Sequence, residues 1–146
     1  MVEANRIPMN AKVTKKLIKN PPSPHWKDQS DEHDYPAAVN YLSLLADPDL
    51  ARKTVESFKN SPISRFLAKD LLRASRLPLL PPDNAHVKAD LKKVKKGSLL
   101  SPVFLVRGDL SADRPLVIAD GYHRICASYY LDENAEVLCN LVDLTQ

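Results

Sequence analysis

In 146 residues, 44% of them hydrophobic, there is room for one compact domain with a core and not for two large ones. The formal charge of +3 is unevenly placed: residues 1–30 hold six cations against two acids, and residues 31–146 hold fifteen against sixteen, so a basic arm precedes a near-neutral body. No window approaches the ~20 apolar residues of a membrane-spanning helix, and no apolar run of signal-peptide length follows Met1, so a cytoplasmic protein is expected.

Residues 1–35 read as an arm. "KNPPSPHW" cannot continue a helix past its prolines, "KDQSDEHD" is polar, and Trp26 is the residue that would pin the arm to the body. From Pro36 the pattern turns helical, with Ala37, Ala38, Tyr41, Leu42, Leu44 and Leu45 largely on one face. A second helix follows, with Asp47 as N-cap, Pro48 at its first position, and Leu50, Val55 and Phe58 facing a core. "ISRFLAKDLLRAS" suits either a helix throughout or a strand from Ile63 to Leu67 and then a turn. "RLPLLPPDN" is a rigid extended connector, because each residue before a proline is pushed out of helical geometry. "HVKADLKKVKKG" is helical, with Val87, Leu91 and Val94 on one side and Gly97 as stop. "SPVFLVRG" and "RPLVIA" read as two strands, "HRICASYYLDEN" as a helix and "AEVLCNLVDL" as a closing strand. Cys126 and Cys139 have neither metal-ligand nor disulfide-frame spacing and are expected as reduced, buried thiols. The expected architecture is α+β, divided into an arm at 1–35, a helical extension at 36–62 and a mixed-sheet domain at 63–146.

The chemistry concentrates in "ADGYHR", where a strand gives way to a helix at Asp120 and Gly121. A helix's first turn presents backbone N–H groups without intrahelical partners and a partial positive charge, a natural anion site. Gly121 removes a side chain from that approach, Arg124 offers a permanent forked cation, and His123 can exchange a proton near neutral pH. Asp120 would repel a phosphate unless a divalent metal or a proton lay between them, which makes it a candidate metal ligand or general base. Simpler readings stay open: Asp120 as a helix N-cap or a partner of Arg124, His123 as a structural histidine, Tyr122 as a packing residue.

Residues 87–144, carrying this turn, resemble the ParB/sulfiredoxin-like superfamily, and "ISRFLAKDLLRASRLPLLPPDN" matches its leading strand and connector. Partition proteins hold Gly-Glu-Arg-Arg at the equivalent turn, and sulfiredoxins Gly-Cys-His-Arg. Free-serine kinases hold Asp-Gly-His-His-Arg, to which Asp120, Gly121, His123 and Arg124 correspond. Tyr122 stands where sulfiredoxins carry their reactive cysteine, which argues against sulfinic acid reduction. The resemblance implies a small mixed sheet with packed helices and nucleotide-phosphate chemistry: ATP or CTP with Mg²⁺ or Mn²⁺, cleaved by an ATPase-like phosphohydrolase. Metal-dependent DNA cleavage is implied by the plasmid fertility-inhibition branch. On this reading Asp120, His123 and Arg124 are catalytic, Asp120 holds the metal, and Gly121, Tyr122, Arg124, Arg73 and Arg76 bind the nucleotide. A kinase acting on a small hydroxyl compound, or a non-enzymatic nucleotide-, DNA- or protein-binding module, is the alternative.

Three further groups carry expectations. Lys88, Lys92, Lys93, Lys95 and Lys96 form a basic helix face suited to a DNA backbone, as does the arm. The helices from Pro36 to Asn60 offer a surface for a protein partner. Glu32, His33 and Asp34 are metal-type groups, but adjacency on one backbone is poor ligand geometry, so a solvated loop is expected there.

Overall fold

The structure, a computed structural model, describes residues 23–144; the earlier part of the expected arm lies outside the described residues. Its elements are β1 (His25–Trp26), α1 (Asp34–Leu42), α2 (Pro48–Phe58), β2 (Ile63–Leu67), α3 (Ala68–Ser75), α4 (Ala85–Lys95), β3 (Leu99–Leu100), β4 (Val103–Val106), β5 (Val117–Asp120), α5 (Tyr122–Leu131) and β6 (Glu136–Val142). They form an α+β fold around a mixed four-stranded sheet ordered β2-β6-β4-β5. β4 lies parallel to β6, and the β2–β6 and β4–β5 pairs are antiparallel.

The interior strand β4 explains the layering. All four of its residues are buried, as expected of a continuous apolar run covered on both faces. Successive side chains point to opposite faces. Val103 and Leu105 join one core with Leu71, Leu72, Val87, Ile125 and Cys139, beneath α3, α4 and α5. Phe104 and Val106 join a second core with Ala38, Leu42, Val55 and Phe58, from α1 and α2. The rings of Phe58 and Phe104 stack at 4.4 Å and 7°. Helices expected as an extension therefore cover the second face of the same sheet.

Local signals account for several boundaries. Asp47 accepts from the Asp49 amide and Pro48 opens α2, while Asn84 accepts from His86 and Val87 at the start of α4. The ambiguous stretch is both of its readings in succession, since β2 runs straight into α3 at Ala68. The expected apolar face is only partly buried: α1 ends at Leu42, and Ala37, Tyr41, Leu44 and Leu45 are exposed. There the backbone tightens into an i→i+3 bond from the Leu44 amide to the Tyr41 carbonyl, while Ser43 Oγ donates to the Val39 carbonyl at 2.7 Å.

The arm boundary at residue 35 also needs correction. His25 and Trp26 pair in parallel with Leu99 and Leu100, and the Lys27 amide donates to the Leu100 carbonyl at 2.8 Å. Ser30 Oγ donates to the Pro102 carbonyl at 3.3 Å. Residues 25–34 are thus a strap laid across the β3–β4 junction. The proline connector is fastened from the other side: Tyr122 Oη donates to the Pro78 carbonyl, and Tyr130 Oη to the Leu80 carbonyl at 2.7 Å. Both cysteines are free and buried, as expected, and burial pushes the Cys139 thiol up to about 12. No helix among the described residues is long and apolar enough to cross a membrane.

Candidate functional site

The turn at 120–122 follows from the packing of β5 on β4. Gly121 has φ +111°, and a Cβ built there would lie 2.4 Å from Val103 Cγ1 and 2.7 Å from Val103 Cβ. The absent side chain therefore makes room for Val103, not for an anion as its place in the sequence suggests. Gly121 is the N-cap of α5 and no side chain caps the helix, so Asp120 is not the cap. The first-turn amides of α5 keep their anion-binding character, with no side-chain acceptor.

Arg124 does something other than offer an open fork. Its side chain is only 12% exposed. Nη1 donates to the Ser101 carbonyl and Ser101 Oγ, both at 2.5 Å, and to the Pro102 carbonyl at 3.2 Å. Nη2 donates to Asp120 Oδ2 at 2.5 Å, and Nη1 lies 3.7 Å from Asp34 Oδ2. Ser101 Oγ in turn donates to Asp34 Oδ2 at 2.8 Å. One guanidinium thereby joins the β3–β4 junction, the end of β5 and the start of α1. The expected phosphate-gripping residue spends most of its donors on the protein, and the expected partnership with Asp120 is present.

Two nearly buried carboxylates share this single cation, which leaves one negative charge in excess. Burial first, and then the Asp34 carboxylate, push Asp120 up to about 6 against the opposing pull of Arg124. Raised in the folded state above its ordinary 3.8, the group contributes stability that is whole at low pH and is lost as pH rises through about 6. Asp120→Asn removes this loss and leaves Arg124 and Asp34 as a one-to-one pair. The melting temperature of the variant relative to wild type is expected to rise between about pH 4.5 and about pH 7.5; a constant difference across thermal melts in that window would contradict it.

Asp34, Asp120 and Arg124 line a cleft of about 480 Å³, together with Lys27, Asp31, His33, His86, Asp90, Lys93 and Ser101. The cleft lies between the strap and α4. His86 belongs to the first turn of that helix, and its ring is 4.6 Å from that of His123. Burial, and then His86, hold the His123 imidazole below its ordinary value, so it is neutral at neutral pH. Burial also raises Asp90, whose nearest cation is Lys93 at 3.9 Å. All five lysines of the basic face are exposed, four on α4 and Lys96 at its C-cap, and Lys93 carries that face to the rim of the cleft.

The structure does not gather every expected residue here. Arg73 pairs with Asp70 and Arg76 with Asp113, and both arginines line a separate groove with Leu77, Pro78, Tyr129 and Glu133. Tyr122 serves as the tie to the connector already described. Residue spacing did not single out Asp31, Asp90 or Ser101 as members of the site. Asp31 enters because the Asp34 amide donates to its carbonyl at 3.0 Å, an i→i+3 turn that brings residues 31 and 34 to one side. One ligand-type atom each from Asp31, His33 and Asp34 then lies within 4.8 Å of the others, so adjacency in sequence did not prevent convergence, and the missing partner was Asp31 in place of Glu32. Comparison with protein-family models, curated proteins and solved structures finds no match to the chain.

Proposed function

We propose that the cleft beside Asp120 processes phosphate esters or anhydrides, making the protein a nucleotide-directed phosphohydrolase of ATPase type that also accepts a DNA backbone. The observation that carries this reading is an uncapped helix N-terminus beside the nearly buried Asp120 carboxylate, whose proton affinity burial raises. The amides of the first turn of α5 would hold the phosphate oxygens and stabilise charge developing on them. Asp120, able to hold or release a proton near neutral pH, would serve the entering water or the leaving oxygen. His123, three residues further along and held below its ordinary value by burial, would be a second proton acceptor. Lys27 and Lys93 on the rim would draw the anion in, and the exposed lysines of α4 suit a longer polyanion. The oxygen-rich lining suits Mg²⁺ or Mn²⁺, which would supply charge neutralisation at the phosphate. The likeness of residues 87–144 to ParB/sulfiredoxin-like domains supports the same chemistry.

Phosphate release from ATP and CTP with Mg²⁺ or Mn²⁺, run beside plasmid integrity, tests the reading. Asp120→Asn and His123→Ala are each expected to lower turnover by about 10²-fold or more while circular dichroism stays unchanged. Failure to bind or process any of these substrates would refute the proposal, and full activity in both variants would refute the assigned residues.

A further inference from the structure

We infer that Asp31, His33 and Asp34 form a binding site for a first-row transition-metal dication, Mn²⁺ or Zn²⁺, on the strap that closes the cleft. The site stands independently of the phosphate chemistry proposed above. His33 Nε2 lies 3.4 Å from Asp34 Oδ1, and two ligands each about 2.1 Å from a tetrahedral ion are separated by about 3.4 Å. The Asp34 side chain is only 6% exposed, and its Oδ1 faces the His33 imidazole. Its other oxygen, Oδ2, accepts from Ser101 Oγ and from the Asp31 amide and faces Arg124. The carboxylate is therefore oriented through one oxygen and presents the other to His33, as outer partners orient a metal ligand.

Asp31 completes the set. Its Oδ1 already has a cation against it, Lys27 Nζ at 2.6 Å, so the position accepts positive charge and an ion would displace a flexible ammonium. His33 is 80% exposed and free to close the last fraction of an ångström. One imidazole with two carboxylates favours Mn²⁺ or Zn²⁺ over Mg²⁺ and Ca²⁺, which prefer oxygen ligands alone. The cleft that these three residues line leaves the remaining coordination positions open to water or to an anionic oxygen.

The test is direct binding to chelator-treated full-length protein, with Mn²⁺ followed by electron paramagnetic resonance and Zn²⁺ by calorimetry. One ion per chain is expected, with Mg²⁺ competing poorly. His33→Ala and Asp31→Asn are expected to weaken binding at least ten-fold while the thermal melt is retained, and Lys27→Met, which frees Asp31, is expected to tighten it several-fold. Absence of saturable binding, wild-type affinity in His33→Ala, or weaker binding in Lys27→Met would each overturn the site. Phosphate release could persist in any of those cases, so the two proposals fail separately.

Discussion

Replacing Arg124 by methionine is expected to lower the unfolding free energy by about 3–5 kcal/mol, the range found when one partner of a buried ion pair is removed. Size is not the reason, since methionine fills much of the same volume. The loss arises because Asp34 and Asp120, 6% and 19% exposed, would face each other without a cation, and the Ser101 carbonyl would lose its donor. Asp120, already pushed up to about 6, can take up a proton and relieve the repulsion, so the deficit should shrink as pH falls. Arg124→Lys should recover less than half of it, because an ammonium cannot spread its donors over acceptors on three separate segments. Urea unfolding at two pH values measures all of this. A loss under about 1 kcal/mol would mean that the cluster behaves as an exposed surface pair.

The second large effect is expected at Gly121. Alanine there must hold φ near +111° and place its Cβ 2.4 Å from Val103 Cγ1, so backbone strain and overpacking add to about 2–4 kcal/mol. The two contributions can be separated in part. Val103 is fully buried and Val103→Ala costs stability alone, yet it removes the Cγ1 methyl that alanine at 121 would strike hardest and leaves Val103 Cβ at 2.7 Å. The double variant should therefore lose less than the sum of the single losses, and the remaining loss reports the backbone together with that Cβ contact. Strict additivity in thermal or urea unfolding would show that the contact with β4 is not what requires glycine.

Local chemistry was readable wherever the cause was local. The apolar runs of β4, β5 and β6 declared themselves, Asp47 announced its helix, and the strand-to-helix turn at Asp120 was placed from residue types alone. Even the uncertainty over Ile63–Ser75 was informative, because periodicity cannot say where a strand hands over to a helix. Partnerships across long separations left no such mark. Ser101 and Asp34 are 67 positions apart, and a serine before a proline looks like loop. Gly121 illustrates the same limit: its need for space was legible, while the occupant of that space, Val103 on a neighbouring strand, was not. Arg124 was recognised as the cation of the site, but only the fold shows that it faces inward, because burial depends on what packs over it.

The strap has a further consequence, for the order of events during synthesis. Asp34 leaves the ribosome roughly ninety residues ahead of Arg124, at a rate of about 5–20 residues per second, and β1 likewise waits for β3. For several seconds the nascent chain carries an acid whose counterion does not yet exist, and a two-residue strand with no edge to join. The cleft thus waits for Arg124, and a chaperone or partner that engages residues 25–34 early would hold the candidate site open.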